Sequence, residues 1–426
     1  MLRREQSVTY LVTAAILAGF LGNYLVMRSG TFVSLAGTGF AMYQFQPGSS
    51  TLGHLLEFGS ALLFALAGLL AIVERRAWLS GGQWFCVALM LMATLLWTVW
   101  SFSTYGVAEM LLITGSPLLW IICLGVLAGT YERVWRATTW LAFPIAALSI
   151  VICVECLGQF KSYGLVTGPS PLMYYMIDAF WATGVVLLGN KTVRWPSLLA
   201  GSLILLACFV VASLILGRSW LIQIMLLMGL VTVRVSFSSR RTFLRNIAPM
   251  VVLLVLVCSV AFRYITTTQS ESYSYLLTKM HQDNRSAQYH AFFDQVPLSH
   301  LILGGGPRAS YSYRGDAQYQ HIDNQFLWIP FRYGAAVLLG YLALIVLPGL
   351  RLLLVGGDWQ TRGPALIILL WALALMGLSI YNGISWNPTN YLICLASGRC
   401  LAILHGRRRR EVSGQPMLLP LSSRRG

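Results

Sequence analysis

The feature that most constrains this chain is a recurrence of apolar runs of about twenty residues, separated by short connections where Lys and Arg collect. A bilayer core of about 30 Å takes about 20 apolar residues of helix. On that ruler spans fall near 8–27, 54–73, 83–101, 107–129, 138–157, 171–189, 196–216, 219–236, 247–264, 325–350, 364–381 and 388–404. The chain is 57% hydrophobic and 10% charged, against about 25% charged in soluble domains, so it cannot cover a soluble surface. The expected fold is an all-α polytopic integral membrane protein of about twelve transmembrane helices, with one large outside loop holding short helices.

Charge placement sets the expected sidedness. With the N-terminus inside, the inside connections carry Arg75 and Arg76, Arg133 and Arg136, Lys191 and Arg194, then Arg240, Arg241 and Arg245. Arg351 and Arg362 follow, and last the tail from Arg407 to Arg410. Outside connections hold almost no Lys or Arg, apart from Lys161 and the long loop, as the positive-inside rule requires. Both termini are therefore expected in the cytoplasm. The net charge of +16 belongs to clusters that meet anionic head groups, and no nucleic-acid partner is implied. Arg3 and Arg4 precede a run long enough to span, with no convincing cleavage site after it, so it reads as a retained first helix. Residues 31–45 are apolar but short and rich in Gly, Ser and Thr. Counting them as a span reverses the parity of the basic connections, so they are expected in an outside loop at the interface. All eight cysteines lie in apolar runs, and the Cys153/Cys156 pair reads as two small helix-packing residues.

The polar stretch 264–325 gathers the candidate chemistry. It divides the chain into helices over 1–263, the loop 264–325, further helices over 326–405 and a basic, Ser/Pro-rich tail 406–426 expected to be disordered. Within the loop, Asp283 or Asn284 caps an expected helix that runs to Gln295 and is stopped by Pro297. Arg285, Tyr289 and Phe292 share one face of it. The glycines 304–306 before Pro307 form a turn, centred on Gly305, that brings backbone close to a neighbour.

Arg218 stands at the outer tip of a tight hairpin, in Leu-Gly-Arg-Ser-Trp (216–220). An Arg at membrane depth costs about 2.5–3.5 kcal/mol, so it needs a partner, a wet cavity or a path to the head groups. Arg285 and Arg308 carry planar guanidinium groups suited to phosphate oxygens, whereas Arg314 reads as a solvated loop charge. His321 and Asp323 put an imidazole and a carboxylate two residues apart, and either can accept a proton from a hydroxyl. Asp323, before an apolar helix, is equally a natural N-cap, with Asn324 beside it. His281, His290 and His300 lack partners at metal-ligand spacing, and no metal or cofactor is expected. Glu57 and Glu109 are expected to face water near outer ends of spans. Glu155 and Asp178 flank the outside connection 158–170 and are candidates to line a cavity.

Three features together resemble the O-antigen ligase and Wzy-type polymerase superfamily of bacterial surface polysaccharides. They are the hairpin Gly-Arg-Ser (217–219), a loop with Arg285 followed by Pro-Leu-Ser-His-Leu-Ile-Leu-Gly-Gly-Gly-Pro (297–307), and Asp-Asn-x9-Gly (323–334). The likeness covers roughly residues 200–345. Ligases of this superfamily usually carry His-Asn where this chain has Asp323-Asn324, with His321 displaced by two. Ser-Arg is common where this chain has Gly-Arg-Ser. The Asp-Asn pair looks more like the polymerases.

The resemblance implies a glycosyltransferase of the bacterial inner membrane with a periplasmic active site. Its donor is a glycan on undecaprenyl pyrophosphate, its acceptor a hydroxyl of the next lipid-linked repeat unit, and its product an exopolysaccharide or O-antigen. Transfer is implied to need no metal and no cofactor. Arg218, Arg285 and Arg308 would hold pyrophosphate, Asp323 or His321 would take the proton, and Asn324, Tyr289 and Gly305 would support them. Membrane lipids, a chain-length regulator and a flippase are the further partners it implies. Two other readings stay open: a ligase that passes glycan to an acceptor lipid, and a transporter of lipid-linked oligosaccharides. A transporter would spread its charges through broken central helices rather than gather them in one loop.

Overall fold

The computed structural model describes residues 2–35, 42–46, 48–75, 78–106, 124–163, 165–167, 171–190, 195–214, 218–236, 284–306, 308–313, 315–355, 361–376 and 388–412, with Ser259 and Arg263. The chain is an all-α, multi-pass membrane protein. The first helices are α1 (Leu2–Arg28), α2 (Thr51–Arg75), α3 (Gly81–Tyr105), α4 (Glu132–Tyr163), α5 (Pro171–Gly189), α6 (Trp195–Leu214) and α7 (Arg218–Ser236). After the loop region come α11 (Ala335–Val355), α12 (Gly363–Leu375) and α13 (Pro388–Val412). Among the described residues seven of these, α1 to α6 and α11, are long and apolar enough to cross a membrane, while α7 and α12 carry shorter apolar stretches. Helices are the form such runs must take, because lipid offers no partner to a free backbone group. The expected spans 107–129 and 247–264 fall mostly outside the described residues, as do Glu109, His281 and Arg314.

Helix α5 is the central element, buried along nearly its whole length. It packs on α4, α6, α12 and α13. One end of the bundle gathers basic connections. There Arg399 pairs with Glu132 at 2.9 Å, Arg133 approaches Glu5 at 4.0 Å, and the Tyr131 hydroxyl donates to Glu74 at 2.9 Å. Arg75 lies 4.3 Å from the ring centroids of both Trp78 and Tyr131. Arg234, 5% exposed, donates to the carbonyls of Leu187 (2.7 Å) and Asn190, closing the C-terminal end of α5 whose last carbonyls have no helical partner. Connections that the charge rule assigns to one side thus share one end.

The described parts of 31–46, a stretch expected in an outside loop, are strands. They form β1 (Thr31–Leu35) antiparallel to β2 (Met42–Gln46), and β3 (Leu165–Thr167) adds parallel to β2. The segment is too short to span, and pairing satisfies its backbone groups while using its β-branched and aromatic residues. Two connections placed on the same side by parity therefore meet. Glu57 also differs from expectation, being 4% exposed rather than facing water. Close approach of α1 and α2 covers it, since a Cβ added at Gly22 would lie 2.9 Å from the Glu57 side chain, and His54 Nδ1 stands 3.1 Å from its carboxylate. Glu155 is exposed and 3.6 Å from Arg28, whereas Asp178 is buried, so this pair is split between surface and core. Cys153 packs as expected between α4 and α5, its thiol 3.7 Å from the Leu172 carbonyl.

The loop region folds as a small unit: α8 (Asn284–Gln295), α9 (Leu298–Leu303), a hairpin of β4 (Tyr311–Tyr313) and β5 (Asp316–Tyr319), and α10 (Gln325–Tyr333). Its core is aromatic, with Phe292 5.4 Å from Tyr311 and 5.1 Å from Phe331 in edge-to-face contact. Gln295 ties α8 to β4 through bonds to both backbone groups of Ser312 (2.8 and 2.9 Å). The expected span 325–350 is corrected to two helices. Gly334, at φ +91°, separates α10 from α11, and a Cβ there would lie 2.8 Å from the carbonyls of Ile302 and Leu303.

Candidate functional site

Helix α8 presents its polar face to the segment 319–324. Arg285, Gln288 and Tyr289 occupy successive positions on the face that Phe292 anchors in the aromatic core, at the i, i+3, i+4 and i+7 spacing of one helical stripe. Arg285 Nη2 donates to Ser219 Oγ at 2.8 Å, and its Nε lies 3.7 Å from Asp323 Oδ2. Those side chains are 45% and 55% exposed, open to a ligand rather than sealed in a core. Ser219 follows Arg218 at the start of α7, so the hairpin tip is brought to the pair. The Arg218 side chain itself lies outside the described residues.

Gln288 is the clamp of the site. It is 3% exposed; its Oε1 accepts from the Asp323 amide (3.3 Å), and its Nε2 donates to the His321 carbonyl (3.2 Å) and the Tyr319 hydroxyl (3.4 Å). The Tyr311 hydroxyl donates to the same His321 carbonyl at 2.7 Å, and burial pushes that phenol well above its usual range. Tyr289 reaches the Asp323 carbonyl at 3.5 Å. These bonds hold the backbone of 321–323. The His321 ring, 5.7 Å from that of Tyr319, and the Asp323 carboxylate are exposed.

Capping and chemistry are separated here. Asn324, not Asp323, is the N-cap of α10, its side chain accepting from the amides of Phe326 (2.9 Å) and Leu327 (3.3 Å). Asn324 is the residue one place before the helix, and only that position aims an oxygen at the second and third amides. The Asp323 carboxylate is left to face Arg285.

The glycine turn serves the other end of α10. Gly305 and Gly306 donate to the carbonyls of Phe331 (2.8 Å) and Arg332 (3.0 Å), and the Trp97 indole donates to Tyr333 (3.3 Å). These are the carbonyls that a helix end leaves without partners. Gly304, at φ +93°, has no room for a side chain: a Cβ would lie 2.7 Å from the Arg332 carbonyl. Its own amide donates to His300 (2.9 Å), so all three turn amides are taken up within the chain. Arg308 follows the turn with its guanidinium 4.1 Å from the Tyr105 ring, which itself meets Trp100 edge to face. Such aromatic groups sit at membrane interfaces.

The structure thus brings together Arg285, Tyr289, His321, Asp323, Asn324 and the tip that carries Arg218. Gly305 and Arg308 belong instead to the docking of α10 on α3. Ser219 enters from the sequence only as part of the Gly-Arg-Ser hairpin (217–219), and Gln288 and Arg332 not at all. Gln288 was findable as the i+3 neighbour of Arg285. Arg332 was findable as a charge inside an apolar run. Among the described residues no three His, Cys, Asp or Glu side chains gather as a metal site would require. No protein-family model matches this chain, and no curated protein matches it either.

Proposed function

We propose that the chain is a metal-independent membrane glycosyltransferase that polymerises undecaprenyl-pyrophosphate-linked repeat units at the periplasmic face of the bacterial inner membrane. The observation that carries this reading is the Arg285–Asp323 pair at 3.7 Å, joined through Ser219 to the hairpin tip beside Arg218. In the transfer, the bond from the donor's anomeric carbon to the pyrophosphate oxygen breaks, and the acceptor hydroxyl oxygen forms a new bond to that carbon. The acceptor proton goes to the Asp323 carboxylate. The electron pair leaves with the pyrophosphate, whose growing negative charge Arg285 and Arg218 stabilise where it develops. An exposed carboxylate held by its backbone, next to a half-exposed guanidinium, suits both halves of that exchange.

The test is made in cells that depend on this chain for polymer. Arg285→Ala is expected to abolish long chains at normal protein level, leaving single repeat units on the lipid carrier. Arg285→Lys is expected to restore them only in part, since an ammonium is a point charge without the planar fork. Wild-type polymer from Arg285→Ala would remove the reading. Long chains stranded on undecaprenyl pyrophosphate would replace it with that of a ligase.

A further inference from the structure

Arg332 lies in the last turn of α10 and is 5% exposed. Its Nη2 donates to the carbonyl and to the side-chain oxygen of Gln320, both at 3.3 Å, and its guanidinium sits 4.9 Å from the Trp328 ring centroid. Its Nε is buried and, among the described residues, has no hydrogen-bond partner. Every contact it makes among them is neutral: no described carboxylate comes within ion-pair distance. Burying a guanidinium without a counter-charge is strongly unfavourable, and an apolar side chain of similar volume is commonly the more stable choice. The place of Arg332 at the end of α10 and the Trp328 face offset part of that cost, and the buried Nε leaves the rest standing. Its position does offer an account, because Gln320, which it holds, leads directly into His321 and Asp323.

We propose that Arg332 supplies a fixed positive charge to the donor site, acting on the diphosphate of a polyprenyl-linked substrate from behind the segment 320–323. The inference rests on the reading that this site takes a lipid diphosphate. Arg332 is a positioning residue in this scheme: it holds the anion by its field and gives up no proton. Three residues of extended chain separate Gln320 from Asp323, at most about 11 Å. A unit charge about 10 Å away, at an effective dielectric of about 20, changes the affinity of a singly charged group on the order of tenfold.

The experiment uses the purified full chain in detergent, with farnesyl diphosphate and farnesol as probes and two variants, Arg332→Met and Arg332→Lys. The Met variant is expected to bind farnesyl diphosphate on the order of tenfold more weakly and farnesol as the native chain does. The Lys variant, which keeps the charge, is expected to recover most of the loss. Equal weakening of both probes, or a Met variant that no longer folds, would show that the guanidinium is a structural clamp for Gln320 and overturn the proposal. Unchanged diphosphate binding by a folded Met variant would overturn it too, leaving the glycosyltransferase reading intact. Should the native chain not prefer farnesyl diphosphate to farnesol, both fall together.

Discussion

The two ends of this bundle differ in how most of their arginines are held, although at the basic end Arg75 also lies on the Trp78 and Tyr131 rings and Arg234 donates to two carbonyls. At the end formed by Glu5, Glu74, Glu132 and Arg399, guanidinium groups meet carboxylates across helices: Arg399 with Glu132, Arg136 with Glu132, Arg133 with Glu5. The charge is neutralised where it stands, and what remains is a set of ties between α1, α4 and α13. At the loop end, Arg308 rests on the Tyr105 ring and Arg332 on Trp328 and two Gln320 oxygens, while Arg285 donates to a serine hydroxyl and stands 3.7 Å from the Asp323 carboxylate. Rings and neutral oxygens hold a guanidinium in place without cancelling its charge. Under the proposed function this is the end that takes an anion from outside the chain. The lesson is to ask what an arginine is paired with before asking how many there are.

The largest effect is expected at Asp323. Because Asn324 caps α10, Asp323→Asn removes a carboxylate and leaves the helix start as it is. Loss of a positioned base costs about 10²–10⁴-fold in rate. Polymer length and the lipid-linked intermediate, read from cell extracts, should show long chains gone and single repeats retained, with His321→Ala the milder variant. Full activity in Asp323→Asn with none in His321→Ala would move the base to His321 and strengthen the ligase reading. Activity in both would reduce the loop end to a structural unit and end the contrast between the two ends.

Gly304→Ala comes next. Its φ of +93° and the Arg332 carbonyl 2.7 Å from a Cβ both oppose a side chain. A backbone outlier of this kind costs of the order of 1–3 kcal/mol. The expected outcome is a lower unfolding temperature and easier proteolysis between α9 and α10, with the helices of the far end unaffected. Asn324→Ala should cost about 1 kcal/mol as a lost cap, and Asp323→Ala far less. That inequality, read by thermal unfolding, checks the division of labour between the two neighbours.

Much of this was legible in the sequence, and the rest has physical reasons for being hidden. The spans follow from apolar length, and the face of α8 from its 3.6-residue period, because each signal lies within one element. The Asp-Asn-x9-Gly spacing turns out to be a helix with its fittings: Asn324 caps α10 at one end and Gly334 breaks it at the other. Pattern alone did not separate Asp323 from Asn324, since either side chain caps well and only backbone direction selects one. The sheet that joins 31–46 to 165–167 depends on pairing across more than a hundred residues. Glu57 is covered by the close approach of α1, a partner helix that no local rule reports.

The smallest effect is expected at the far end, and it tests the comparison most directly. Glu132 receives both Arg399 at 2.9 Å and Arg136 at 3.5 Å, with about half of its side chain in the open. An ion pair as exposed as the one with Arg136 contributes about 0–1 kcal/mol, since water and salt screen it and two long side chains must be ordered; Arg399 is 12% exposed, and Gln still offers it an oxygen. Glu132→Gln keeps the shape and one acceptor oxygen while freeing two guanidinium groups. Its unfolding temperature should fall by a few degrees at most, less in high salt, and its polymer should match that of the native chain. The far end would then be a set of ties with no part in the chemistry. Loss of polymer from a stably folded Glu132→Gln would mean that the charge state at one end is read at the other. The neutralised end would in that case be part of the machine rather than its frame.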